Sequence, residues 1–135
     1  MVFLIPLLLV IIPDLETFLY PLNFQQIYAG LLLILPGRYI GLVAVSQIRK
    51  QSHNEDAPNQ LQTTGIYRKS RNPIVIGMHM TIVGLFLIFP SVLLFFGILF
   101  YLSYMHFKIQ LEEEFLLNTF GKSYQAYCQK VNRYI

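Results

Sequence analysis

Apolar residues in this chain come in long unbroken runs separated by short polar stretches. The first run extends from Met1 to about Tyr20 and is interrupted by Pro13, Asp14 and Glu16. The second extends from Phe24 to about Ile48, after a turn at Pro21-Leu22-Asn23. Between Arg71 and Lys108 there is no Asp, Glu, Lys or Arg, and Pro90-Ser91 sits near the middle of that silence. The runs are continuous rather than alternating, which predicts helices and argues against a barrel. Pro73 to Phe89 and Ser91 to Phe107 read as the two arms of a helical hairpin, each about 17 residues or about 25 Å long at about 1.5 Å per residue. A full span needs about 20 apolar residues, so the first run is a short span or a re-entrant piece. It lacks a basic flank and a small-residue cleavage site, and so reads as a membrane segment rather than a removed signal. Gln51 to Ser70 is a polar loop with His53–Pro58 its least structured part. Beyond Lys108 the last helix continues to Phe120, and Gly121 ends it as a C′ glycine. Ser123 to Val131 is expected to form a short amphipathic helix with Tyr124, Tyr127, Cys128 and Val131 on one side. The predicted fold is all-α: a multi-span helical membrane protein with about four transmembrane helices and a short cytoplasmic C-terminal helix. It is one membrane domain, 1–135, with N-terminal spans and loop in 1–58 and the hairpin 73–107 inside the second part, 59–135.

Composition turns the helices into membrane helices. The chain is 55% hydrophobic and only 13% charged, with a mean hydropathy of +0.52. A soluble domain of this size could not hide that much apolar surface, whereas a bilayer accepts it if every backbone group is paired internally. The formal charge is +3, and its placement sets the orientation. No Lys or Arg precedes Arg38, the central loop holds Arg49, Lys50, Arg68, Lys69 and Arg71, and Lys108, Lys122, Lys130 and Arg133 follow the hairpin. By the positive-inside rule the loop and the tail are cytoplasmic, giving four spans with both termini inside. The basic residues flank membrane segments, so no nucleic-acid partner is expected. Cys128 is the lone cysteine, which excludes a disulfide framework and a Cys-based metal cluster, and reads as a packing or surface thiol. The three His lack metal spacing, so no metal is expected; His79 and His106 read as packing or interface residues.

The hairpin returns two polar motifs to one membrane face, which is where chemistry is expected. Leading into it is Leu61-Gln-Thr-Thr-Gly-Ile-Tyr-Arg-Lys-Ser-Arg-Asn-Pro-Ile-Val-Ile-Gly77. Asn72 is a strong N-cap and Pro73 suits the first helical position. The N–H groups of Ile74 and Val75 should then point out of the helix end and, with the dipole, favour an anion, beside Arg71 and with Gly77 permitting close approach. Leading out is Lys108-Ile-Gln-Leu-Glu-Glu-Glu-Phe-Leu-Leu-Asn-Thr-Phe-Gly-Lys-Ser-Tyr124. Glu112, Glu113 and Glu114 point about 100° apart on a helix, so one or two can face inward. Lys108 and Glu112 share a face and can pair, or a carboxylate can wait for an ammonium or sulfonium. One place for an anion and one for a cation suit an amino-acid-like zwitterion. Arg38, inside the second run after Pro36-Gly37, would cost at least about 2.5 kcal/mol if buried in lipid. Either the helix breaks there with water access, or Arg38 meets a lipid headgroup or an acidic substrate.

Thr63-Thr64-Gly65-Ile66-Tyr67, Ser70-Arg71-Asn72-Pro73 and Gly77 resemble the pattern T-x-G-x-Y…R-[HN]-P-x-Y-x-G. Glu112-Glu113-x-x-Leu116-x-x-x-Phe120-Gly121-x-x-Tyr124-x-x-Tyr127 resembles E-E-x-x-L-x-x-x-F-G-x-x-Y-x-x-Y. Both patterns belong to the isoprenylcysteine carboxyl methyltransferase and phospholipid methyltransferase superfamily, integral membrane enzymes that use S-adenosyl-L-methionine. The resemblance covers about Asn59 to Arg133 and implies that 59–135 is a cofactor-binding half with its pocket on the cytoplasmic side. It implies that Gln60, Leu61 and Gln62 run along the cofactor, that Tyr67 lines its pocket, and that Asn72, Pro73, Ile74 and Val75 form the helix-start contact. It gives Glu112 the α-ammonium and Lys108 the place where relatives carry a substrate-positioning Arg. The chain departs from the pattern at Asn72, where relatives often carry His, at Val75, where Tyr is usual, and at Val131-Asn132-Arg133, which meets an Arg-Val-Pro ending only loosely. The implied acceptor is a lipophilic or prenylated molecule from the bilayer, with a carboxylate, thiol or amine as the methylated group. A carboxylate or thiolate needs no base; an amine would, with Glu113 or His106 as candidates, and no catalytic residue is assigned. A sterol-reductase-type enzyme using NADPH and a non-catalytic membrane assembly partner are the rival readings. The absence of a G-x-G loop after a strand excludes the soluble Rossmann type of methyltransferase.

Overall fold

The computed structural model describes residues 23–52 and 60–134. The first apolar run, most of the turn after it and the His53–Pro58 loop lie outside the described residues. Every long element among the described residues is an α-helix. Helix α1, Phe24–Ser52, starts at Asn23, whose side-chain oxygen accepts the Gln25 N–H at 3.1 Å while its carbonyl accepts the Gln26 N–H at 2.9 Å. Those bonds satisfy donors that a helix start leaves unpaired. Arg49 and Lys50 occupy its last turn, where positive charge offsets the helix dipole. The break considered at Pro36-Gly37 does not occur: α1 runs through Pro36 as one helix. Proline removes a single N–H and crowds only the carbonyl one turn earlier, and an apolar surrounding leaves that backbone no better partner than the helix itself.

A polar stretch with one 3-10 turn, Gly65–Arg68, leads to helix α2, Pro73–Ile88, with Pro73 at its first position. The chain reverses at Phe89-Pro90-Ser91 and returns as helix α3, Val92–Phe120, so the predicted hairpin forms. Its second arm continues unbroken past Phe107 to Phe120, as expected from the sequence. Gly121, at φ +51°, sits in the left-handed region that glycine tolerates best, and its N–H closes the last turn on Leu117 at 2.8 Å. Helix α4, Lys122–Lys130, follows at once and buries Tyr124 and Tyr127. Helices α1 and α3 are each long and apolar enough to cross a membrane, while α2 is an apolar helix of 16 residues, about 24 Å.

Helices α1 and α2 run antiparallel with their backbones in contact. Gly30 lies opposite Gly84, and Gly37 opposite Gly77. A Cβ added to Gly84 would stand 2.6 Å from the Gly30 carbonyl oxygen, and one on Gly37 2.8 Å from that of Gly77. Lipid tails are as apolar as leucine, so helices in a bilayer gain most by such close approach of small residues. This contact fixes the first turns of α2 against the middle of α1, at Gly37 and Gly41, which is what positions the polar loop between them. Gly84→Ala should therefore destabilise the protein by about 1–3 kcal/mol through overpacking. Gly41→Ala, whose Cβ meets nothing within 4 Å, should be neutral or stabilising by up to about 1 kcal/mol. Unfolding in a mixed detergent series measures both.

Candidate functional site

The loop before α2 is held from two sides. From α1, the Gln47 side-chain oxygen accepts the Ile66 N–H at 3.1 Å, and one turn on the Gln51 amide donates to the Gln60 carbonyl at 2.5 Å. Gly65 is required twice over there: its φ is +63°, and a Cβ would overlap the Gln47 side chain. From α4, the Tyr127 hydroxyl donates to the Tyr67 carbonyl at 2.6 Å. Leu61 joins Leu116 and Phe120 around the buried Tyr124, Tyr127 and Val131. The loop thus lies across the top of α3 as a wall.

The residues just before α2 bond to a segment some sixty positions later. The Ser70 hydroxyl donates to the Arg133 carbonyl at 3.2 Å, the Arg71 N–H to the Asn132 carbonyl at 3.0 Å, and the Asn72 amide to the Arg133 carbonyl at 3.3 Å. Asn72 occupies the N-cap position, yet its side-chain oxygen makes no cap bond; its amide nitrogen instead donates to the Arg133 carbonyl. Of the two N–H groups expected to leave the helix end, that of Val75 turns back on the Asn72 carbonyl at 3.1 Å. Ile74 therefore carries that expectation alone.

The three adjacent glutamates have three environments. Glu113 turns inward, where Arg133 grips both of its oxygens, at 3.1 and 2.6 Å, and Arg71 reaches one at 3.1 Å. The Glu113 carboxylate raises the pKa of the Arg133 guanidinium further. Glu114 is exposed. Glu112 is exposed as well, but it lines the cavity and, among the described residues, makes no ion pair, with Lys108 or any other.

Gln60, Leu61, Gln62, Tyr67, Asn72, Pro73, Ile74, Val75 and Glu112 all line one cavity of about 640 Å³, and Lys108 stands at its wall with them. That volume is in the range of small-molecule sites. Arg38 is not among the lining residues; it lies exposed in the middle of α1. Motif reasoning missed Ile48 and Gln51 of α1, Met78 of α2 and Met105 and Ile109 of α3, which complete the walls. Arg71 lines the cavity too, and its link to Glu113 and Arg133 carries no sequence signal because the three are far apart in the chain. Within this wall the Tyr67 hydroxyl is buried without a hydrogen-bond partner. Burial, then the Glu112 and Tyr127 charges, push its pKa up, so it remains a donor. Burial likewise pushes Tyr127 up to about 12 and raises Tyr124, with Glu113 adding to the effect. His79 and His106 lie outside the cavity: His79 packs edge-on against Tyr101 with ring centres 5.8 Å apart, and His106 bonds Gln110 at 2.9 Å. Cys128 is half-buried against Arg71.

A family model described as phospholipid methyltransferase matches residues 25–123. The chain is similar to the protein-S-isoprenylcysteine O-methyltransferase of Saccharomyces cerevisiae, at 31% identity over 130 residues, covering 88% of this chain and 53% of the yeast protein. It thus spans about half the length of that curated relative. No solved structure matches.

Glu113→Gln should cost about 1–3 kcal/mol, because it leaves two partly buried guanidinium groups short of a charged acceptor. Glu114→Gln should stay within about 0.5 kcal/mol of the parent. Thermal unfolding in detergent separates the two.

Proposed function

The chain belongs to the phospholipid methyltransferase family, and from that premise we propose that it is an integral membrane methyltransferase. In this reading the cavity holds S-adenosyl-L-methionine and the acceptor is a lipid-like or prenylated molecule. One observation carries it: Glu112, a solvent-exposed carboxylate without a cation among the described residues, shares a largely apolar cavity with the Tyr67 hydroxyl, which is buried and unpartnered. A buried polar group without a partner calls for one from outside the protein. The residues present fit the cofactor. Glu112 would hold the α-ammonium, the Ile74 N–H at the start of α2 would meet the carboxylate, and Leu61, Leu116 and Phe120 offer apolar surface for the base.

When bound, the cofactor supplies a methyl group on a positively charged sulfur. The chain's own task is to hold donor and acceptor in line and to exclude water. Glu113 lines the cavity, but Arg71 and Arg133 occupy its oxygens, which makes it a poor base. That favours an acceptor which arrives ionised, a carboxylate or thiolate. Lys108, exposed at the cavity wall, is suited to steer such an anion. The name of the yeast relative specifies an isoprenylcysteine, which supports a prenylated acceptor here. The charge placement supports a four-span arrangement with the cavity on the cytoplasmic face. Arg38 is remote from the cavity, so a contact of Arg38 with a headgroup or an acidic substrate would be separate from this site.

Calorimetry of the detergent-purified protein with S-adenosylhomocysteine, beside NADPH, tests the reading. Micromolar binding of the former that is lost in Glu112→Ala is the expected result; the substitution breaks no ion pair among the described residues, and unchanged circular dichroism would confirm the fold. Binding of NADPH alone would sink the proposal, and binding of neither would leave a non-catalytic assembly partner. Transfer of labelled methyl groups into a membrane lipid extract, weakened in Lys108→Ala, would identify the acceptor class.

A further inference from the structure

The two arms of the hairpin meet through layers of side chains, and one layer is polar. Nearest the turn, Phe86 of α2 lies 6.2 Å from Phe95 of α3, ring centre to ring centre. Nearest the cavity, Val75 of α2 packs with Met105 and Ile109 of α3. Between these apolar layers His79 meets Tyr101, their ring centres 5.8 Å apart. Each lies four residues from its neighbour in the Val75 layer, and so on the same side of its helix. The His79 Nε2 and the Tyr101 hydroxyl are both buried, and neither has a hydrogen-bond partner among the described residues. The rings stand edge to face at 88°, an arrangement in which the two groups do not bond one another. Other polar side chains of these turns are closed on their own helices. The Thr81 hydroxyl donates to the Gly77 carbonyl at 2.8 Å, and that of Ser103 to the Leu99 carbonyl at 2.9 Å. A third ring comes from the end of the chain: Tyr134, next to the anchored Arg133, lies 6.4 Å from His79 and packs on the Val75 layer.

We propose that His79 and Tyr101 form a binding site for one hydroxyl group, held between the arms of the hairpin behind the wall of the cavity. The hydroxyl belongs to a water molecule or to the alcohol end of an amphiphile. Two unpaired polar groups that face each other in an apolar interior call for a partner from outside the protein. The chemistry of the pair selects that partner. A neutral imidazole offers either a donor or an acceptor at Nε2, according to its tautomer, and a phenol offers both. A hydroxyl answers either tautomer, because it accepts one bond and donates another. A carbonyl only accepts, and a charged group is costly inside a charge-free hairpin. A hydroxyl with a bond of about 2.8 Å on each side links atoms about 5 Å apart, which is the scale of the separation between the two rings. Val75 and Met105 also line the cavity, so the hydroxyl lies one side-chain layer behind it. Neither Glu112 nor Lys108 takes part, and the site does not depend on which cofactor the cavity takes.

Solid-state NMR of the protein in bilayers with deuterated acyl chains tests the site. The chain has three histidines, so His53→Gln together with His106→Gln leaves His79 as the single signal from isotope-labelled histidine. Two hydroxyl sources are offered: bulk water, and dodecanol labelled at its hydroxyl-bearing carbon. The expected result is magnetisation transfer onto the His79 ring from one of these sources, falling several-fold in Tyr101→Phe, which keeps the ring in place and removes only the oxygen. Transfer from water identifies the guest as a water molecule, and transfer from dodecanol identifies it as the alcohol end of an amphiphile. Transfer from neither source would overturn the proposal. So would transfer that is unchanged in Tyr101→Phe, because His79 would then be solvated without Tyr101. Circular dichroism confirms the fold of each variant. If Tyr101→Phe does not fold, Tyr101→Leu takes its place, and the absence of transfer from both sources in the protein that retains Tyr101 is decisive by itself. No cofactor enters the readout, so failure here leaves the methyltransferase reading standing.

Discussion

Glu113 is the point at which three distant stretches of this chain are tied together. Its carboxylate takes Arg133 through two bonds and Arg71 through one, joining α3, the segment before α2 and the segment after α4. Charge-assisted bonds of this kind are short and directional, and a partly buried carboxylate that lost its cations would be costly. The backbone follows the charges. With Arg133 held by its side chain, its carbonyl is presented to Ser70 and Asn72. The neighbouring residue, Glu112, turned by about 100°, is left free to face the cavity. Adjacent residues of the same type therefore divide the work: one holds the walls, the other faces the cavity.

The second constraint is the contact of α1 with α2. Four glycines let the two backbones approach within distances that a single methyl group would violate. The closeness has a local effect on the site. It fixes Gln47 and Gln51 at the end of α1 under the loop that begins at Gln60, and each spends its side-chain amide on that loop. The wall opposite Glu112 is consequently supported by a membrane helix that contributes few residues to the cavity itself.

Much of this was legible in the sequence, and the reasons are specific. The hairpin could be read because charge is absent from one long run and a proline divides it. The nine residues expected for a cofactor, with Lys108, belong to two compact motifs, and compact motifs at the two ends of a hairpin must meet. What could not be read depended on helix phase or on distant partners. Three consecutive glutamates are equivalent as letters; only the burial of Met105 and Ile109, which sets the rotation of α3, decides which of them turns inward. Asn72 has every attribute of a capping residue, yet a carbonyl 61 positions away claims its amide. Pro36 resembles a break, but nothing in an apolar surrounding rewards breaking. Ile48 and Gln51 give no motif because each is one residue of a long helix that happens to end at the site.

The bonds from Ser70 and Asn72 to Arg133 also set an order of events. They close a circuit of 61 to 63 residues that contains both arms of the hairpin, and contacts of such separation form after local ones. A chain is made from its N-terminal side, so α1 and α2 can meet through their glycines while α3 is still being added. Glu113 then waits, with Arg71 beside it, for a second guanidinium that arrives twenty residues later. Among the described residues, the edge of the cavity that rests on these bonds thus depends on contacts of longer separation than the helices that frame it.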